Sequence, residues 1–135
     1  MASVKLDTVR SGVKLLSGVL KEADLQNNED GKVTSREIKD FKDSYGDGAS
    51  LDKAMTAVHK YAQAKYGVTN PTEKQINSAL ADAMKYTARA DINGSKDLSP
   101  TERRALSATW EAVVKFAIDY KGSSVRDIVS PSSAP

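Results

Sequence analysis

The sequence predicts an all-α fold, a bundle of five or six helices in which two helix-loop-helix units are paired. Apolar residues recur at steps of three and four over several long segments, which is the period of an amphipathic helix. Three motifs beginning at Thr34, Thr72 and Ser99 have the Ser/Thr-x-x-Glu/Gln form of a capping box. No segment of useful length alternates apolar and polar residues as a half-buried strand does.

The apolar spacing places five long helices, each bounded by a cap or a turn. They are expected over residues 4–24, 34–45, 51–66, 72–90 and 100–121. Trp110 falls on the apolar stripe of the last helix, so we expect it in the core. A short turn at 125–129 should dock on the body of the protein, and residues 130–135 should form a mobile tail.

The amino-acid composition excludes several classes of functional site. The chain has 135 residues, no cysteine and one histidine, so disulfide frameworks, thiolate metal sites and multi-histidine zinc sites are excluded. Twenty basic and 18 acidic residues give a net charge of +2, which argues against nucleic-acid binding. No apolar run is long enough to span a membrane, and no signal-peptide pattern opens the chain, so cytoplasmic is the default expectation. His59 lies beside an apolar stripe and is expected at the surface or rim.

Residues 91–102, which we call loop two, have the ligand spacing of a cation-binding loop. Oxygen-bearing side chains stand at positions 1, 3, 5, 7, 9 and 12, and an apolar residue stands at position 8. The oxygen-bearing residues are Asp91, Asn93, Ser95, Asp97, Ser99 and Glu102. A hard divalent cation needs oxygen ligands that converge from a short loop, closed by a two-oxygen carboxylate.

Loop two resembles the calcium loop of the EF-hand family. The resemblance implies that Asp91, Asn93 and Ser95 bind calcium through their side chains, with Asp97 contributing its main-chain carbonyl. It also implies that Glu102 closes the site from the start of a helix. The sequence departs from the family at position 6, where Lys96 replaces glycine. Lys96 must therefore adopt a left-handed backbone conformation, or the loop must adjust.

Residues 26–37, which we call loop one, are a weaker copy of the same pattern. Its implied ligands are Gln26, Asn28, Asp30, Lys32 through its position-7 carbonyl, and Glu37. An alternative register takes Asp24 as the first ligand and makes this loop two residues longer. The 12-residue frame places Gly31 and Val33 where the family has them, but the sequence leaves both registers open.

The resemblance implies one EF-hand-pair domain at residues 1–121. Hand one covers residues 4–45 and hand two covers 72–121, with helix 51–66 inserted between them and a short turn with a flexible tail at 122–135. The two loops should touch through their position-8 residues, Val33 and Leu98. Calcium is expected at 91–102 and is possible at 26–37, with affinities on the order of 10⁻⁶ to 10⁻³ M.

Two function classes follow from this resemblance. The first is a calcium sensor, or a calcium-stabilised interaction module, that binds another protein through an apolar groove. The second is a purely structural adaptor whose loops do not bind metal. Met55, Tyr61 and Tyr66 of the inserted helix could plug the groove or bind a target. No nucleophile elbow, phosphate-binding glycine loop or histidine pair appears, so an enzyme is not expected.

Overall fold

A computed structural model describes residues 3–25, 31–45 and 49–129, and it confirms the all-α prediction. A two-residue strand, β1, at Val4–Lys5 precedes the first helix, and β2 at Asp97–Leu98 lies within loop two. The helices are α1 Leu6–Leu25, α2 Ser35–Tyr45, α3 Ala49–Tyr66, α4 Glu73–Ala90, α5 Pro100–Arg103, α6 Ala108–Asp119 and α7 Val125–Val129.

Four of the long helices, α1, α3, α4 and α6, form the body of the bundle in antiparallel pairs. Ser17 of α1 donates a hydrogen bond to Asn77 of α4, so the later part of one helix lies beside the beginning of the other. Ser50 donates likewise to Asp119, at opposite ends of α3 and α6.

The hydrophobic core is formed by the apolar faces of these helices packed together. Trp110 is 5% exposed, which confirms its predicted place in the core. Met55 of α3 is fully buried, so this side chain fills the interior and does not line an open groove. Burial of such side chains from water is the main favourable term in the folding free energy.

The predicted single helix over 100–121 is wrong, because the structure divides it into α5 and α6. The Ser107 hydroxyl accepts a hydrogen bond from the main-chain N–H of Trp110, and Ser107 itself has an extended backbone. A serine that caps a helix in this way ends the preceding turn and begins a new helix.

The two halves of the chain, α1 to α3 and α4 to α6, have the same order of helices and loops. The pair α1 and α4 are the long helices that lead into loop one and loop two, respectively. The helix predicted as an insertion, α3, has a counterpart in α6. Each follows a helix that opens with a capped turn, and the two pack against each other. Helix 51–66 is therefore part of the repeated plan.

The predicted contact between the two loops through Val33 and Leu98 is also wrong. Leu98 pairs with Val4 in the antiparallel β1–β2 ladder, whereas Lys32 forms an isolated bridge with Thr72. Each loop is thus hydrogen-bonded to the segment that precedes the first long helix of the other half. These pairings satisfy main-chain groups that a direct loop-to-loop contact would have used.

Because each loop pairs with the segment before the long helix of the other half, the two loops lie at opposite ends of the bundle. Helix α1 starts beside loop two and leads into loop one, while α4 starts beside loop one and leads into loop two. A helix of 20 residues spans about 30 Å. The two loops are therefore separated by roughly the length of α1.

The C-terminal helix packs as predicted. Ile128 is buried, and Val125 lies against Gly18 of α1. The predicted mobile tail at 130–135 lies outside the described residues. Among the helices of the described ranges, none combines the length and apolar character that a membrane span requires.

Candidate metal centre

Loop two is wound around the carboxylate of Asp91. One oxygen, Oδ2, accepts a hydrogen bond from the main-chain N–H of Lys96 at 2.7 Å. The other, Oδ1, accepts from the main-chain N–H of Ser95 at 3.2 Å. An aspartate that caps N–H groups later in its own loop holds the chain in a tight turn. The first predicted ligand therefore lies inside the loop.

The next predicted ligands lie close to this carboxylate. Asn93 Oδ1 accepts from the Ser95 main-chain N–H at 3.0 Å. The Ser95 hydroxyl lies 3.4 Å from Asp91 Oδ1 and 3.1 Å from the carbonyl oxygen of Asp97. Oxygen atoms from four positions of the loop are thus brought together by local hydrogen bonds.

Glu102 reaches back into the loop from α5. It forms a complete capping box with Ser99, in which Glu102 Oε1 accepts from the Ser99 main-chain N–H at 2.9 Å. Its second oxygen, Oε2, accepts from the main-chain N–H of Asn93 at 3.3 Å. The hydrogen bond from Ser99 is the largest of the influences that lower the pKa of Glu102, and burial opposes them. Glu102 is thus a buried, ionised acceptor that faces the start of the loop.

Lys96 adopts the left-handed conformation that its position requires. Its φ is 65°, the only positive value of a residue other than glycine in the described part of the chain. Of the two expected alternatives, a left-handed Lys96 or an adjusted loop, the structure shows the first. The Lys96 side chain is exposed, so its charge lies at the surface of the loop.

Loop one is described only in part, because Gln26, Asn28 and Asp30 lie outside the described residues. Gly31 has a φ of 79°, which matches the left-handed Lys96 of loop two. Glu37 is 3% exposed and accepts from the main-chain N–H of Thr34 at 2.8 Å, as Glu102 does from Ser99. The Thr34 hydroxyl in turn accepts from the Glu37 main-chain N–H at 3.0 Å. Lys32 is exposed at the bridge to the other half.

Asp24, the residue of the alternative register, is completely buried. Its Oδ2 accepts from the main-chain N–H of Gly31 at 3.1 Å. The Asp91 carboxylate makes the same bond to Lys96, which stands at the position equivalent to Gly31. In this respect Asp24 has the geometry of a first loop residue.

His59 is buried, so the expectation of a surface or rim position is wrong. Its Nε2 lies 2.7 Å from the carbonyl oxygen of Val33, to which it donates. Burial lowers the pKa of His59, and this hydrogen bond opposes the shift in part. His59 lies four residues after Met55 and three before Ala62, on the buried stripe of α3. That spacing is the sequence signal that could have placed it in the core.

The donor set of loop two suits a hard cation. It consists of oxygen atoms from carboxylate, amide, hydroxyl and main-chain carbonyl groups, with no nitrogen or sulfur donor. Within the described ranges, no three Asp, Glu, His or Cys side chains cluster as a metal site. Any cation at loop two must therefore be held by a mixed set with few formal charges.

A shallow cavity of about 470 Å³ lies between α3 and α6. It is lined by small side chains including Ala57 and Ala112, with Lys53 and Lys60 beside them. No protein-family model, curated protein or solved structure matches this chain. The physical features of the two loops and their supporting helices therefore carry the functional argument.

Proposed function

We propose that this protein binds calcium at loop two with modest affinity, as a sensor or as a calcium-stabilised interaction module. The arrangement of Asp91 and Glu102 carries the proposal. Asp91 lies inside a loop whose N–H groups it binds, and Glu102 returns from α5 to the beginning of the same loop. This is the placement that lets a short loop surround an ion.

The proposed ligands are the side chains of Asp91, Asn93, Ser95 and Glu102 and the main-chain carbonyl of Asp97. All are oxygen donors, and such a mixed set suits the longer bonds and higher coordination number of calcium. Magnesium is a poorer candidate because it demands near-octahedral geometry and gives up its water reluctantly.

The charge of the loop supports an affinity on the order of 10⁻⁶ to 10⁻³ M. Asp91 and Glu102 are the two carboxylates proposed to bind directly, and the Lys96 ammonium reduces the negative potential around them. Affinity in such loops rises with ligand charge and with rigidity. A tight calcium buffer is therefore not proposed.

The packing of α3 favours the module over the sensor. Met55 of α3 is fully buried, so exposure of an apolar groove at this side chain would require α3 to move away from the core. A module with a fixed fold would instead use calcium to increase its stability by mass action. Fluorescence of a hydrophobic dye separates the two: a rise on calcium addition supports the sensor, and no change supports the module.

The proposal is tested by calorimetric calcium titration of the wild type and of Asp91→Ala. We expect the wild type to bind and Asp91→Ala to lose the loop-two site. Asp40→Ala is the matched control, because it removes one carboxylate from α2 that lies 3.8 Å from Arg36 on the surface. The proposal fails if the wild type and Asp91→Ala give the same binding heat and the same melting temperature in roughly millimolar calcium.

A further inference from the structure

Asp24 is a buried carboxylate that is only half satisfied by the described residues. It is 0% exposed, and its Oδ2 accepts from the Gly31 main-chain N–H. Its Oδ1 is buried and has no hydrogen-bond partner in the part of the chain that the structure describes. Burial of a carboxylate without a compensating charge is strongly unfavourable, so a positive group is expected beside Asp24.

The position of Asp24 matches that of Asp91 in the other half. Asp24 lies in the last turn of α1, and Asp91 is the C-cap of α4. Each accepts from the N–H of a residue with positive φ, Gly31 or Lys96, respectively. The separation is seven residues in the first case and five in the second, so the chain after Asp24 is two residues longer.

The carboxylate at the end of loop one, Glu37, also has an equivalent in Glu102 of loop two. Glu37 and Glu102 are both buried, and each accepts from the N–H of the hydroxyl residue three positions earlier. The equivalence therefore holds at both ends of the loop. It identifies Asp24, and not Gln26, as the counterpart of Asp91.

We propose that Asp24 and Glu37 hold a second hard divalent cation, at the opposite end of the α1–α4 pair from loop two. The buried oxygen of Asp24 is the atom that such a cation would bind. Because this site shares no ligand with loop two, the inference can hold even if the loop-two proposal fails.

Calcium titration of four proteins tests the inference. Asp24→Asn removes the charge but keeps an oxygen that can accept from Gly31. Gln26→Ala is its matched control, because Gln26 is the first ligand of the rival register. Asp91→Asn isolates the new site by removing the first ligand of loop two. We expect Asp24→Asn to bind one calcium fewer than the wild type, Gln26→Ala to bind as the wild type does, and Asp91→Asn to retain the Asp24-dependent binding.

Thermal unfolding gives a second readout. In calcium-free buffer, we expect Asp24→Asn to melt at or above the wild-type temperature, because it removes a buried charge. We expect the same variant, in an Asp91→Asn background, to lose the remaining rise in melting temperature on calcium addition. A variant that is unfolded without calcium, or that keeps this rise, would overturn the inference.

The outcomes separate this inference from the proposed function. If Asp91→Asn abolishes all binding, loop two binds calcium and the Asp24 site is overturned. If Asp24→Asn abolishes all binding while Asp91→Asn has no effect, the Asp24 site stands and the loop-two proposal fails. Equal stoichiometry for Asp24→Asn and Gln26→Ala also overturns the inference.

Discussion

The main-chain N–H of Leu6, the first residue of α1, donates to the carbonyl oxygen of Lys96 at 2.9 Å. In the other half, the N–H of Glu73, the first residue of α4, donates to the carbonyl oxygen of Gly31 at 3.0 Å. Both acceptors have positive φ. The two long helices therefore begin on equivalent points of the two loops.

These two hydrogen bonds connect each long helix to the loop at the end of the other long helix. Helix α1 starts on loop two and brings Asp24 towards loop one, while α4 starts on loop one and brings Asp91 to loop two. Each long helix thus begins on one loop and carries, near its end, a carboxylate that accepts a main-chain N–H from the other loop. The two loops are thus hydrogen-bonded to opposite ends of the same two helices, about 30 Å apart.

Leu6→Pro tests the bond between α1 and loop two. Proline is tolerated at the first helical position, and the preceding Lys5 is in an extended strand, so the backbone suits the substitution. Only the donor to Lys96 and the leucine side chain are lost. With a hydrogen bond contributing about 0.5–1.5 kcal/mol, we expect loop two to bind calcium about twofold to tenfold more weakly.

Two control variants separate the loss of the N–H donor from the loss of the leucine side chain. Leu6→Ala removes most of the side chain but keeps the N–H donor, and it should leave calcium binding at loop two nearly unchanged. Glu73→Pro removes the equivalent donor to Gly31 and should affect loop one first. If Leu6→Ala weakens calorimetric binding as much as Leu6→Pro does, the hydrogen bond is not the coupling element.

We expect Lys96 to lower both the free energy of unfolding and the affinity of loop two for calcium. A left-handed conformation costs a residue with a Cβ roughly 1–2 kcal/mol, and the ammonium opposes cation binding. We expect Lys96→Gly to raise the free energy of unfolding by about 1 kcal/mol and to tighten calcium binding. Lys96→Ala removes the charge but keeps the strain, so it should tighten binding without the gain in stability. Urea denaturation and calorimetry measure the two effects separately.

His59 should make the fold sensitive to acid. Its folded-state pKa is lowered by burial, so the unfolded chain takes up the proton first as the pH falls. The stability associated with neutral His59 is complete above the ordinary histidine pKa of about 6.5 and declines below it. Urea denaturation at about pH 7.5 and pH 5 should show a larger loss for the wild type than for His59→Gln. Equal losses would show that His59 does not contribute to acid sensitivity.

Gly12 of α1 packs directly against Ala117 of α6. A Cβ at this position would overlap the Cβ and Cα of Ala117, whereas at Gly18 it would meet only the Cγ2 of Val125. We expect Gly12→Ala to destabilise the protein by about 1–3 kcal/mol despite its better helix propensity. Gly18→Ala should cost less, because a valine methyl can move. Adding Ala117→Gly should restore part of the stability lost in Gly12→Ala, as measured by thermal unfolding.

Local chemistry explains what the sequence could predict. The capping hydroxyls of Thr34, Thr72 and Ser99 act on N–H groups three residues later, so they can be recognised without knowing the fold. The apolar period placed Trp110 in the core for the same reason. The left-handed Lys96 was one of two alternatives implied by the resemblance of loop two to the EF-hand calcium loop, in which glycine occupies this position.

The features that the sequence could not predict depend on distant or competing contacts. The pairing of Val4 with Leu98 involves a two-residue strand that leaves no periodic signal. The end of α5 depends on Ser107 acting as a cap inside a segment that otherwise has a helical pattern. The choice between Asp24 and Gln26 depended on which side chain the fold would bury beside Gly31.

Calcium binding at loop two is tested most directly by a calcium titration followed through the backbone amides by nuclear magnetic resonance. The N–H groups of Ser95 and Lys96 donate to the Asp91 carboxylate, so they report any cation that binds it. We predict saturable shifts of these two amides with a midpoint between about 10⁻⁶ and 10⁻³ M calcium, lost in Asp91→Asn. If the amide signals of Ser95 and Lys96 do not shift in roughly 10 mM calcium, loop two does not bind calcium.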